Sequence, residues 1–80
     1  MTTPEQIKHW IEDGLAHSVA TVQGDGHHFD AVVVCAQFEG KNTLARQRMV
    51  YAALGEKMDQ AIHALSFKTR TPEEFEKESL

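Results

Sequence analysis

The sequence predicts an α+β domain: a three-stranded mixed sheet with helices packed on one face, in the order α-β-β-α-α-β-α. Three observations carry this. Two segments, Thr3-Pro4-Glu5-Gln6 and Thr71-Pro72-Glu73-Glu74, have the form of a capped helix start. Three short runs, residues 18–23, 29–36 and 64–69, show the alternation or β-branched richness of strands. Some 25 residues of helical pattern separate the second and third runs, enough for a crossover between parallel neighbours.

In the first helix Thr3 is the N-cap, Pro4 the first helical residue and Gln6 the partner that bonds back to the cap. Ile7, Trp10 and Ile11 form a narrow apolar stripe, which makes Trp10 a core residue. Gly14 is the expected C-terminal stop. Residues 18–23 form a strand, and Gly24-Asp25-Gly26 supplies the turn chemistry of a hairpin. In the next strand Phe29, Ala31, Val33 and Cys35 share one face and Val32, Val34 and Ala36 the other. With both faces apolar or small, this strand is expected at the centre of the sheet.

Gly40 is expected in a glycine-only conformation as the chain leaves the sheet. Asn42 or Thr43 caps the next helix, whose main apolar positions are Leu44, Val50, Ala53 and Leu54. Gly55 interrupts it, and a shorter helical piece covers residues 56–62. In the third strand Leu65, Phe67 and Thr69 alternate with Ala64, Ser66 and Lys68. Thr71, Pro72 and Glu74 then start the last helix. His63 stands at the mouth of this strand, held between two well-specified elements, and is the leading functional candidate.

A chain of 80 residues, 41% hydrophobic and 25% charged, fits one globular domain over residues 1–80. At this size about 60–65% of the unfolded surface is buried, enough for a single core. One cysteine excludes an internal disulfide and fits a reducing compartment. No apolar run reaches the roughly 18 residues of a membrane span, so a cytoplasmic protein with no membrane partner is expected. Net charge is −4, distributed as −5 over residues 1–40, +4 over 41–70 and −3 over 71–80. The basic middle could meet phosphate or an acidic surface, and the plainer reading is a solvated helix face.

The segments 38–41 (FEGK), 46–51 (RQRMVY), 62–69 (IHALSFKT) and 71–75 (TPEEF) resemble the BolA family, with compatible spacing along nearly the whole chain. The short length and the segment 24–29 (GDGHHF) resemble its IbaG-like branch. Gln47 stands where members of the founding branch have a histidine, and Phe75 where many members have tryptophan. The resemblance implies a type II KH-like fold. It also implies a monothiol glutaredoxin as partner, sharing a bridging 2Fe–2S cluster held with glutathione. No cofactor is expected on the isolated protein, a monomer or weak homodimer.

Carried over by the resemblance, His63 matches the C-terminal ligand histidine and His28 the variable ligand of the first hairpin loop. His27 is the competitor for that role. Neighbours in extended chain point to opposite sides, so the two should not both ligate. The chemistry is compatible, because two imidazoles can replace two thiolates on one iron. One cysteine and five histidines are a poor set for closing a conventional cluster alone, whereas a shared site suits them. Without the resemblance, a lone histidine reads as surface or structural. His9 and His17 read as surface residues, and Cys35, among valines, as a small inert core residue.

The alternative is a DNA-binding regulator using Arg46, Arg48, Lys68 and Arg70. RNA-binding KH domains clamp their ligand with a Gly-x-x-Gly loop; the matching junction, residues 53–58, has one glycine and Glu56, so the usual RNA mode has no basis. An enzyme is the least supported class: the chain has no catalytic triad set, no phosphate-cradling glycine loop and no helical His-Glu-x-x-His.

Overall fold

The structure is a computed structural model that describes residues 1–79. Its elements are α1 (Pro4–Gly14), β1 (Ser18–Gly24), β2 (His28–Cys35), a 3₁₀ turn (Ala36–Phe38), α2 (Thr43–Leu54), α3 (Lys57–Gln60), β3 (Ala64–Arg70) and α4 (Pro72–Glu78). The sheet order is β1-β2-β3. β2 is central, antiparallel to β1 and parallel to β3, as the crossover length predicts.

Both capping boxes form. The Thr3 hydroxyl accepts from Gln6 N–H (3.2 Å) and the Gln6 side chain from Thr3 N–H (2.9 Å). Thr71 and Glu74 repeat the exchange at 3.1 and 2.8 Å. At α2 the cap is Asn42, whose side chain accepts from Ala45 N–H (2.9 Å).

The core joins Ile7, Ile11 and Leu15 on the first helical segment to Ala20, Phe29, Val33 and Cys35 on the sheet, closed by Phe38, Val50, Leu54 and Ile62. The predicted inward face of β2 is therefore buried. Ala36 falls beyond the strand, in the 3₁₀ turn that turns Phe38 into the core. Trp10 is half-buried against this core, with the Lys57 ammonium over its ring at 5.2 Å. The Cys35 thiol is buried and points at the Ala16 carbonyl (3.4 Å), an inert setting.

α1 stops at Gly14, as expected: Gly14 is its last helical residue, and a left-handed conformation falls three residues on, at His17 (φ 64°). Gly14 is needed because α2 approaches closely: a Cβ there would lie 2.6 Å from the Ala53 carbonyl oxygen and 2.8 Å from its Cα. Leu44 is not a core position. Val50 and Leu54 carry the buried face of α2, while Leu44 and Tyr51 stay exposed on another stripe.

α4 is tied down by charge. The Arg46 guanidinium makes a two-pronged contact with Glu74 (2.7 and 3.3 Å), and its Nε donates to the carbonyls of Phe38 (3.2 Å) and Lys41 (2.8 Å). One side chain thus joins α2, the loop before it and the cap of α4. The Arg46 hydrogen bond, backed by the Thr71 N–H, lowers the Glu74 carboxyl from its ordinary 4.5 to about 2. Arg70 pairs with Glu78 and also donates to the Thr69 carbonyl (2.8 Å).

Gly14→Ala should destabilise the protein by about 1–3 kcal/mol through overpacking against Ala53, although alanine is the better helix former by about 1 kcal/mol. Urea unfolding checks this, and an equal or more stable variant would refute the close-approach role. Because the folded-state carboxyl of Glu74 is lowered, its stabilising contribution is complete above pH 4.5 and is lost as pH falls toward 2. Stability should therefore decline less steeply over that window in Glu74→Gln than in the parent protein, measured by denaturation at a series of pH values. Parallel declines would remove this assignment.

Candidate functional site

The candidate site lies where the β1–β2 turn meets the start of β3. Asp25 organises the turn. Its carboxylate oxygen accepts the N–H groups of His27 (2.9 Å) and His28 (2.8 Å), and its own N–H donates to the His28 carbonyl (3.2 Å). The two amides hold its carboxyl below the usual aspartate range. Gly26 has φ 100°, a conformation that favours glycine, so the turn can fold back this sharply.

The parallel ladder then brings β3 alongside. His28 pairs with Ala64, and Ala64 N–H donates to the His27 carbonyl (3.0 Å). His63, one residue before that bond, stands next to both turn histidines. Its ring centre lies 5.8 Å from that of His27 and 6.0 Å from that of His28, with the planes nearly perpendicular (88° and 90°). All three side chains are exposed.

The structure thus brings His28 to His63, as the topology suggests, and also brings His27. Alternation does not separate the two, because His27 lies in the turn rather than in extended chain. Among the described residues, no group of three or more His, Cys, Asp or Glu side chains is disposed to hold a metal ion. Two imidazoles on one metal ion at roughly 2.1 Å per nitrogen have ring centres about 5 Å apart. The ring-centre separation of either histidine pair is within about 1 Å of that value. Cys35 is buried and outside the site, and His9 and His17 are exposed elsewhere.

Of the basic residues singled out in the middle segment, two are engaged in ion pairs. Arg46 is engaged by Glu74 and two carbonyls with its side chain only 13% exposed, and Arg70 is paired with Glu78. Both are thereby tied to α4. Arg48 and Lys68 are exposed. Asp25 is the residue that sequence reasoning missed. Gly24-Asp25-Gly26 was legible as a turn, and an aspartate two and three residues before the histidines is also the signal for a side chain that captures their amides.

A mixed sheet of this order, with α1 and α2 on one face, defines a small KH-like α+β domain. The BolA-like protein family model matches residues 8–74, and the chain belongs to that family. Its relatives include Protein BOLA2 of Arabidopsis thaliana, 51% identical over 80 positions, covering 94% of this chain and 85% of that protein. In Escherichia coli they include the acid stress protein IbaG (35% identical; 88% of this chain, 84% of that protein). The DNA-binding transcriptional regulator BolA of the same organism is also 35% identical (82% and 61%). A solved bolA protein homologue from Coxiella burnetii superposes with a TM-score of 0.90 at 56% identity, covering 95% of this chain and 99% of that one. The chain spans about half the length of the human BolA-like protein 1 (54%).

Asp25→Ala should speed amide hydrogen exchange at His27 and His28 while leaving the β1–β2 ladder amides protected; unchanged exchange at both histidines would show that the turn holds without the carboxylate.

Proposed function

We propose that this protein is a non-enzymatic adaptor that partners a monothiol glutaredoxin and shares a bridging 2Fe–2S cluster with it. Such a complex would serve cluster assembly and trafficking, or iron and stress signalling. The observation that carries this reading is the meeting of His63 with His27 and His28 at an exposed sheet end. Imidazole is an established ligand for one iron of such a cluster. Four terminal ligands are required in all, so two from this chain leave two for the glutaredoxin cysteine and its bound glutathione. His63 is assigned as the constant ligand on this side. Its companion is His28, with His27 as the competing donor that the distances leave open.

The exposed position suits a shared centre, because a partner can approach the rings without displacing core side chains. Asp25 supports it by fixing the backbone of both turn histidines. The relatives named for acid stress and for transcriptional regulation are compatible with a signalling role. The name of the Escherichia coli relative, a DNA-binding transcriptional regulator, also keeps DNA binding as a second reading, resting here on Arg48 and Lys68. Affinity for DNA that does not fall as salt rises would remove it, since phosphate-driven binding must weaken.

Reconstitution of a cluster on the mixed proteins, followed by visible circular dichroism, tests the first reading. His63→Ala should change the spectrum of the hetero-complex and speed loss of the cluster. Of His27→Ala and His28→Ala, the one that reproduces this change identifies the second ligand. An unchanged spectrum in His63→Ala would overturn the assignment.

A further inference from the structure

The strand register fixes which backbone groups reach beyond the sheet. Ala64 N–H bonds to the His27 carbonyl, and Ser66 and Lys68 follow Ala64 opposite Asp30 and Val32. In a parallel ladder alternate residues bond to the neighbour. Ala64, Ser66 and Lys68 therefore direct their N–H and C=O groups at β2, while Leu65, Phe67 and Thr69 direct theirs outward. β3 is an edge strand. Of these outward groups, only the Thr69 carbonyl is engaged among the described residues, by Arg70 at 2.8 Å.

The opposite edge is treated differently. Ala20 on β1 faces Val33 and also directs its backbone outward. There Glu12 accepts the Ala20 N–H (2.9 Å), Lys8 donates to the Ala20 carbonyl (2.8 Å), and the two side chains pair with each other at 2.6 Å. On β1 one outward-facing residue is thus covered by an ion pair from α1, a form of protection against strand addition, whereas on β3 the outward groups of Leu65 and Phe67 have no partner among the described residues.

What flanks the open edge is specific. Tyr51 stands edge-on to Phe67, ring centres 5.3 Å apart, and is 46% exposed. Leu44 and Arg48 precede it on the same helical stripe, and Leu44 is 55% exposed. Lys68 lies exposed on the other side of the strand. Among the described residues neither Arg48 nor Lys68 has a carboxylate within 4.0 Å, although Arg46, Arg70, Lys8 and Lys77 all do.

We propose that the free edge of β3 is a docking site for an extended, acidic segment of a partner protein, which adds to the sheet as a fourth strand. The backbone groups of Leu65 and Phe67 supply the main-chain bonds. Alternate side chains of the added strand pack against Tyr51 and Leu44, and those between them place carboxylates near Lys68, with a further one for Arg48. A second copy of this chain fits less well, because it would bring both sets of unpaired cations to one seam. The edge begins two residues after His63, so a strand seated there approaches the histidines. The docking uses backbone and Lys68 rather than imidazole, and it stands or falls independently of the cluster.

A blocked peptide of alternating valine and glutamate, titrated into the metal-free protein and followed by amide resonances, tests this. The expected result is slowed exchange and shifted resonances at Leu65, Phe67 and Thr69, with Ala20 unaffected, and weaker binding of a lysine-for-glutamate peptide. Lys68→Glu, an exposed change that leaves the fold intact, should weaken the acidic peptide roughly five- to tenfold and strengthen the basic one. Leu65→Pro removes an outward donor without touching the β2 ladder and should abolish binding. Equal binding of both peptides, no binding, or shifts centred on β1 would overturn the proposal. Concentration-dependent shifts at Leu65 and Phe67 without peptide would overturn it in favour of a second copy as occupant.

Discussion

The hydrogen bond from Ala64 N–H to the His27 carbonyl sets the parallel register on which the rest of this molecule depends. It places His63 beside the turn histidines and decides that Leu65 and Phe67, rather than Ser66, present their backbones at the free edge. A slip of one residue would invert this, carrying Leu65, Phe67 and Thr69 off the core face. Burial of Thr69 and partial burial of Leu65 and Phe67 hold the register against that slip. Core packing and candidate site are therefore set by the same contact.

Charge is used locally rather than as a field. Arg46 and Arg70 hold α4, Lys8 and Glu12 cover Ala20 on the β1 edge, and Lys57 covers Trp10. The positive balance of residues 41–70 is consequently a poor guide to the surface, since two of its arginines are matched by acids in the C-terminal ten residues. Among the described residues, Arg48 and Lys68, exposed near the sheet on either side of β3, have no carboxylate partner.

Much of the architecture was legible. The two Thr-Pro-Glu starts formed because capping is a contract among neighbours in sequence. The central place of β2 followed from apolar residues on both faces, and the parallel third strand from the length of the crossover. Leu44 was misread because the apolar residues of α2 lie on two stripes, and composition does not say which one meets the core. Gly14 was legible as the end of α1, but its close approach to the backbone of Ala53, far away in the chain, was not.

By itself the sequence determined the local elements, the order of the strands and the prominence of His63, since those follow from propensity, periodicity and spacing among near neighbours, with the family resemblance marking the histidine. Tertiary structure alone decided that His27 and His28 both come beside His63, that Asp25 fixes them, and which backbone groups of β3 face outward. Those outcomes depend on turn geometry and on register between residues some 35 positions apart. No local pattern encodes the distance between side chains that only a ladder brings together.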